Sequence, residues 1–136
     1  FAVCPDNTIH QAFDLVEKET PIPWLHIADG VGKEAQARGF RKLGITGTKY
    51  LMTGPVYPET LKKYNISCEL VNGLFPESSR LYFNEVIEKL KGRGCDAVVL
   101  GCTEIPLIVD PEDCPLPTLD STRLLARAAL RKAIEE

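Results

Sequence analysis

The stretch Val98-Val99-Leu100-Gly101-Cys102-Thr103-Glu104-Ile105-Pro106 decides how this chain is read. Its continuous apolar run is the pattern of a strand buried on both faces, as strands of a parallel sheet are. The run stops at Gly101, and a thiol, a hydroxyl and a carboxylate follow at once. In open α/β sheets, ligands bind just past the carboxyl ends of the strands. Cys102 therefore stands where such a fold does its chemistry, although most free cysteines serve only as small buried hydrophobes.

Toward the N-terminus, strand and helix patterns alternate. Residues 1–4 read as a short strand, and Pro5-Asp6-Asn7-Thr8 as a turn and helix cap. Ile9, Ala12, Phe13 and Val16 recur at helical spacing and predict an amphipathic helix over residues 8–19. Residues 20–23 break it. Residues 24–28 form a second strand, with His26 as a core histidine inside it, and a helix from about Asp29 ends at Gly39. A third strand over 42–46 runs into Gly47-Thr48-Lys49, followed by a helix within 55–64. A fourth strand over 67–71 is closed by Asn72-Gly73. Pro76 then opens a helix with Phe83, Val86, Ile87 and Leu90 on its apolar face, stopped by Gly92 and Gly94.

Beyond the 96–101 strand come a short apolar segment over 105–109 and a proline-rich connection over 111–117. A sixth strand lies at 116–119. Asp120-Ser121 caps a last helix with Leu124, Leu125, Ala128 and Ile134 on its buried side. Six strand–helix units predict an α/β fold with one parallel sheet or two small ones, and right-handed crossovers place helices on both faces. Glycines 39, 44 and 47 mark a boundary. Residues 39–115 then form one subdomain, and residues 1–38 with 116–136 form part of another.

Bulk properties bound the function. At 136 residues the chain is about one domain long, and its net charge of −3 offers no basic field for nucleic acid or an anionic membrane. No apolar run approaches the ~20 residues of a membrane span. Five cysteines in no regular spacing read as reduced thiols of a cytoplasmic or organelle interior, not of a secreted protein. With two histidines and no Cys-x-x-Cys, neither a zinc site nor any other metal centre is expected. Gly30-x-Gly32 and Gly44-x-x-Gly47-Thr48-Lys49 match neither phosphate-loop pattern in full. Asn65-Ile66-Ser67 is a chance sequon, and Arg123, Arg127, Arg131 and Lys132 read as a solvated helix face. The chain starts at Phe1, within a strand pattern, which suggests that something upstream was removed or was never present.

Short polar residues collect behind the strands: Asp6, Asn7 and Thr8; Asp29; Thr46 and Thr48; Cys102, Thr103 and Glu104; Asp120, Ser121 and Thr122. Singly, each is an ordinary cap. Together, Asn7, Thr8, Thr48 and Thr103 make a cradle for one or two carboxylates.

These residues resemble a known family. Leu100-Gly101-Cys102-Thr103-Glu104-Ile105-Pro106-Leu107 closely resembles the second catalytic motif of the aspartate/glutamate racemases. Pro5-Asp6-Asn7-Thr8-Ile9-His10 resembles their first motif, usually Pro-Cys-Asn-Thr-x-His. Residues 22–29, 44–48, Tyr57 and 119–122 resemble further segments, so the likeness covers essentially the whole chain. It implies two flavodoxin-like domains, the first incomplete here for want of the family's N-terminal βαβ region. It also implies a site between the domains, a homodimer and racemisation of acidic amino acids without a cofactor.

Carried over, Cys102 is one of two proton carriers at the α-carbon, and Asn7, Thr8, Thr48 and Thr103 bind substrate. Asp6 stands where the family's first cysteine usually does, with Cys4 two residues earlier. A carboxylate with a reference pKa of ~3.9 is a weak base for a carbon acid. Two alternatives follow from the single intact thiol motif: a one-cysteine decarboxylase or isomerase of the same superfamily, and a non-catalytic dicarboxylate-binding or assembly module. Aspartate and glutamate differ by one methylene, and the sequence does not separate them.

Overall fold

A computed structural model describes residues 1–70 and 80–135. Val71, Asn72-Gly73 and the helix-opening Pro76 lie outside the described residues. The strand read from 98–101 is β5 (Ala97–Gly101), and every residue of it is buried. It lies beside β3 (Lys42–Gly47), flanked by β4 (Ser67–Leu70) and β6 (Thr118–Asp120), in a wholly parallel sheet of order β4-β3-β5-β6. Two further strands, β1 (Ala2–Val3) and β2 (Trp24–Leu25), pair parallel in a small sheet of their own.

Side-chain alternation along the strands builds two cores. Leu43 and Ile45 of β3, Ala97 and Val99 of β5 and Leu119 of β6 face one layer of helices. That layer holds α2 (Ile27–Ala37), α4 (Val56–Lys62) and α6 (Ser121–Glu135), through Val31, Leu61 and Leu124 among others. Val98 and Leu100 face the other way, onto Phe83, Ile87 and Leu90 of α5 (Arg80–Gly92) and onto Ile105 and Val109. Gly39 and Gly94, at φ +77° and +83°, follow α2 and α5 in the left-handed conformation that favours glycine.

Residues 118–120, grouped on the sequence with residues 1–38, hydrogen-bond into the main sheet through β5, with Leu119 opposite Val99. Leu119 and Leu124 share a core with Ile45 and Val99, which fixes both β6 and α6 to this sheet. Ile134, expected to be buried, is 75% exposed near the end of α6.

The segment over 8–19 is not one α-helix. A 3₁₀ turn (Thr8–Ala12) precedes a short α1 (Phe13–Glu17). Tighter winding turns His10 inward and leaves Ile9 59% exposed. The second strand is also shorter than its pattern. His26 is the N-cap of α2, its Nδ1 accepting the Ala28 N–H at 3.2 Å. Helix α3 (Lys49–Thr53), which the sequence reading omitted, starts directly after Thr48.

The end of the sheet where the strands begin is tied by polar groups. The Asp96 carboxylate accepts the Arg41 and Lys42 N–H groups at 2.6 and 3.1 Å, and Lys42 pairs with Glu69 at 2.9 Å. The strands end at the opposite pole.

Candidate active site

From β3 the chain moves outward to β4, then returns past β3 to β5 and β6 on the other side. The order therefore reverses between β3 and β5, and the crevice beyond their carboxyl ends is the topological switch point at which doubly wound sheets bind ligands. The last paired residues there are Gly47 and Gly101. A β-carbon on Gly101 would lie 2.5 Å from the Thr46 carbonyl oxygen, and one on Gly47 would lie 2.7 Å from a Leu51 methyl. Only glycine fits this approach. Thr48 and Cys102 follow directly, on strands spaced ~4.8 Å apart.

Thr48 is the N-cap of α3, its hydroxyl accepting the Leu51 N–H at 3.2 Å. Its Oγ1 also lies 2.9 Å from Thr8 Oγ1, bringing the Asp6–Thr8 segment over the end of β3. Cys102 is half-buried against the α5-side core, while Thr103 and Glu104 are exposed on the turn that follows. Asp6 is exposed, and its Oδ1 accepts the Ile9 N–H at 2.9 Å, closing the turn into the 3₁₀ segment. Cys4, just after β1, is half-buried.

Asn7 behaves differently from its expected place in an open cradle. It is only 3% exposed, and its amide is engaged on both sides. Tyr57 O–H donates to Asn7 Oδ1 at 2.6 Å, and Asn7 Nδ2 donates to Ser121 Oγ at 2.9 Å. Ser121 O–H donates in turn to the Leu100 carbonyl at 3.0 Å. The sequence reading gave Tyr57 and Ser121 no such role. The available signal was that a tyrosine on an apolar helix face needs a partner for its hydroxyl.

His10 anchors the same segment from below. Its Nε2 accepts the Ile27 N–H at 3.2 Å, so Nδ1 carries the proton and donates to the Asp6 carbonyl at 2.8 Å. Burial pushes the His10 pKa down, against the smaller opposing pull of Asp6. His26, with its ring centroid 4.7 Å from that of His10, is pushed down to about 4, first by burial and then by His10.

A cleft of about 620 Å³ lies behind these histidines and is lined by His10, His26, Asp29, Glu59 and Lys63 among others. It contains neither Cys102 nor Thr48. The candidate site rests on the convergence of strand ends, not on the size of that cleft. Among the described residues no group of three His, Cys, Asp or Glu side chains could hold a metal ion.

Comparison with known proteins agrees with this geometry. Residues 1–129 match the family model described as Asp/Glu/Hydantoin racemase. A candidate Asp/Glu racemase from Yersinia pestis is 31% identical and superposes with a TM-score of 0.86, covering 97% of this chain and 65% of that one. An aspartate racemase homologue from Pyrococcus horikoshii OT3 is 30% identical, with a TM-score of 0.85 over 96% of this chain and 65% of its own. Glutamate racemase 3 of Caldanaerobacter subterraneus subsp. tengcongensis is 26% identical over 117 residues, covering 76% of this chain. The chain spans 42% of that relative's length.

Proposed function

The chain belongs to the Asp/Glu/Hydantoin racemase family, and from that premise we propose that it carries the proton-transfer site of an acidic amino-acid racemase. The supporting observation is that Cys102 and Thr48 follow the paired ends of β5 and β3 at the switch point, where Thr8 meets Thr48. Cys102, as thiolate, takes the α-proton from one face of the substrate. The C–H electron pair passes into the α-carboxylate as a carbanion-like state. A carrier on the opposing arm, Asp6 once it has taken a proton from solvent, gives that proton to the other face. Cys102 ends as a thiol and Asp6 as a carboxylate; loss of the thiol proton to solvent and uptake of one by Asp6 reset both. Thr8, Thr48 and Thr103 hydroxyls and nearby N–H groups hold the carboxylates and stabilise the developing charge. Asn7 fixes the arm that presents Thr8. Every step uses side chains of this chain.

The capping bond from Ile9 to Asp6 favours a second reading, in which Cys102 is the sole carrier and protonates one face only. One experiment addresses both readings. The protein is incubated in deuterated buffer with each enantiomer of aspartate and glutamate. Magnetic resonance then follows α-deuterium, and chiral chromatography follows inversion. Racemisation predicts deuterium in the substrate together with the opposite enantiomer. Exchange with retained configuration supports the one-carrier reading. No exchange with any of the four contradicts both. Between aspartate and glutamate, one methylene gives a pocket only ~1–3 kcal/mol of discrimination, so a measurable rate with both is expected.

A further inference from the structure

We propose that Tyr57 and Ser121 are positioning residues that hold the Asp6–Thr8 arm at a fixed distance from the Cys102 turn, acting through the amide of Asn7. The inference deepens the racemase reading and rests on it for its kinetic part alone.

The relay joins four parts of the chain that are remote in sequence: α4, the first arm, the start of α6 and the end of β5. Tyr57 and Ser121 are fully buried and Asn7 nearly so, so each bond forms away from competing water. All three donors point the same way. Tyr57 O–H faces Asn7 Oδ1, which turns Nδ2 toward Ser121, which frees the Ser121 hydroxyl proton for the Leu100 carbonyl. A flipped Asn7 amide would draw the Ser121 proton to its own oxygen and leave the Leu100 carbonyl without that bond, so the relay holds the amide in one orientation. Burial raises the Tyr57 pKa, so its hydroxyl stays a donor at any working pH.

The last acceptor, Leu100, lies two residues before Cys102. Its neighbour Gly101 is pressed against the Thr46 carbonyl, so the strand end has little room to move independently. A displacement of the first arm is therefore passed to the Cys102 turn. On the other side of the arm, Thr8 meets Thr48 at 2.9 Å. The arm is held at two adjacent residues, Asn7 by two buried bonds and Thr8 by one at the surface. Proton transfer to two faces of one carbon requires carriers at set positions, and a misplacement of about 1 Å costs on the order of 100-fold in rate.

The test uses Tyr57→Phe and Ser121→Ala, each of which removes one hydroxyl and little else. Amide hydrogen exchange is measured for residues 7–9, for 101–103 and for the remote strand segment 43–45. The kcat and KM of α-proton exchange are measured well below the melting midpoint. Each variant is expected to speed amide exchange at both 7–9 and 101–103 while 43–45 stays protected. The expected kcat falls on the order of 10–100-fold, with KM held within about threefold. Faster exchange confined to the neighbourhood of the substituted residue would overturn the proposal. So would a uniform rise across all three segments, or an unchanged kcat. If the unsubstituted protein exchanges no α-proton, the racemase reading falls, while the amide pattern still decides whether the two arms are coupled.

Discussion

At the residue scale the chemistry turns on what faces Cys102. Its own place is set by β5, while the partner proposed for it, Asp6, is a carboxylate at the position where, as the sequence resemblance has it, the family's first motif carries a thiol. Replacing Asp6 by cysteine supplies a carrier whose reference pKa of ~8.5 suits proton exchange near neutral pH better than ~3.9 does. Asp6→Cys is therefore expected to raise the rate of inversion at pH 7 by about tenfold or more, read by chiral chromatography. A rate no higher than that of the unsubstituted protein would remove position 6 from the proton path. The places of Cys102, Thr8 and Thr48 at the ends of elements were legible in the sequence because each follows or begins a recognisable element. The engagement of Asn7 was not, because its partners lie 50 and 114 residues away and nothing local announces them.

At the scale of elements, the paired ends of β3 and β5 are the most constrained feature. Gly101→Ala forces a β-carbon against the Thr46 carbonyl and is expected to cost about 1–3 kcal/mol, read as a lower midpoint in denaturant. Gly92→Ala is the control: it meets nothing within 4 Å at the end of α5 and is expected to be neutral or slightly stabilising. Equal losses at the two positions would contradict the close approach of the strands.

The histidine pair makes stability depend on pH. Both pKa values lie below the ordinary 6.5, so the folded state resists protonation. Above 6.5 both folded and unfolded states are neutral and stability is full. As pH falls from 6.5 toward about 4, the unfolded chain takes up protons that the folded one refuses, and stability declines. The melting temperature is expected to drop between pH 7 and pH 5, and to drop less in His26→Asn, which keeps an N-cap but does not titrate. An identical drop in both proteins would exclude His26 from the effect.

Strands were legible wherever a buried run gave no alternative, as over 98–101. The segment 8–19 misled because its apolar spacing fits an α-helix, whereas the anchoring of His10 by Asp6 and Ile27 winds its first turn as 3₁₀. His26 misled in the same way: one residue beyond β2, an extended backbone reads as strand yet serves as a cap.

At the scale of the whole molecule, the sheet separates two tasks. Ion pairs and the Asp96 carboxylate secure the pole where strands begin, and the candidate site occupies the pole where they end. Glu69→Gln breaks a solvent-screened pair whose side chains are about one-third exposed, and is expected to lower the denaturation midpoint only slightly without changing α-proton exchange. A marked loss of exchange would mean that the poles are not independent. The alternation of strands and helices, and hence the parallel α/β fold, could be read from the sequence. The attachment of β6 and α6 to the main sheet could not, because three residues of strand carry no mark of their neighbour.

At the centre stands the proposal that the thiol of Cys102 moves the substrate's α-proton. Its most direct test is deuterium incorporation into aspartate and glutamate by Cys102→Ser, beside the unsubstituted protein at matched folded fraction. The account predicts incorporation by the unsubstituted protein and none above the uncatalysed rate in the variant, whose melting temperature stays close to the original. Incorporation by the variant at a comparable rate would contradict it.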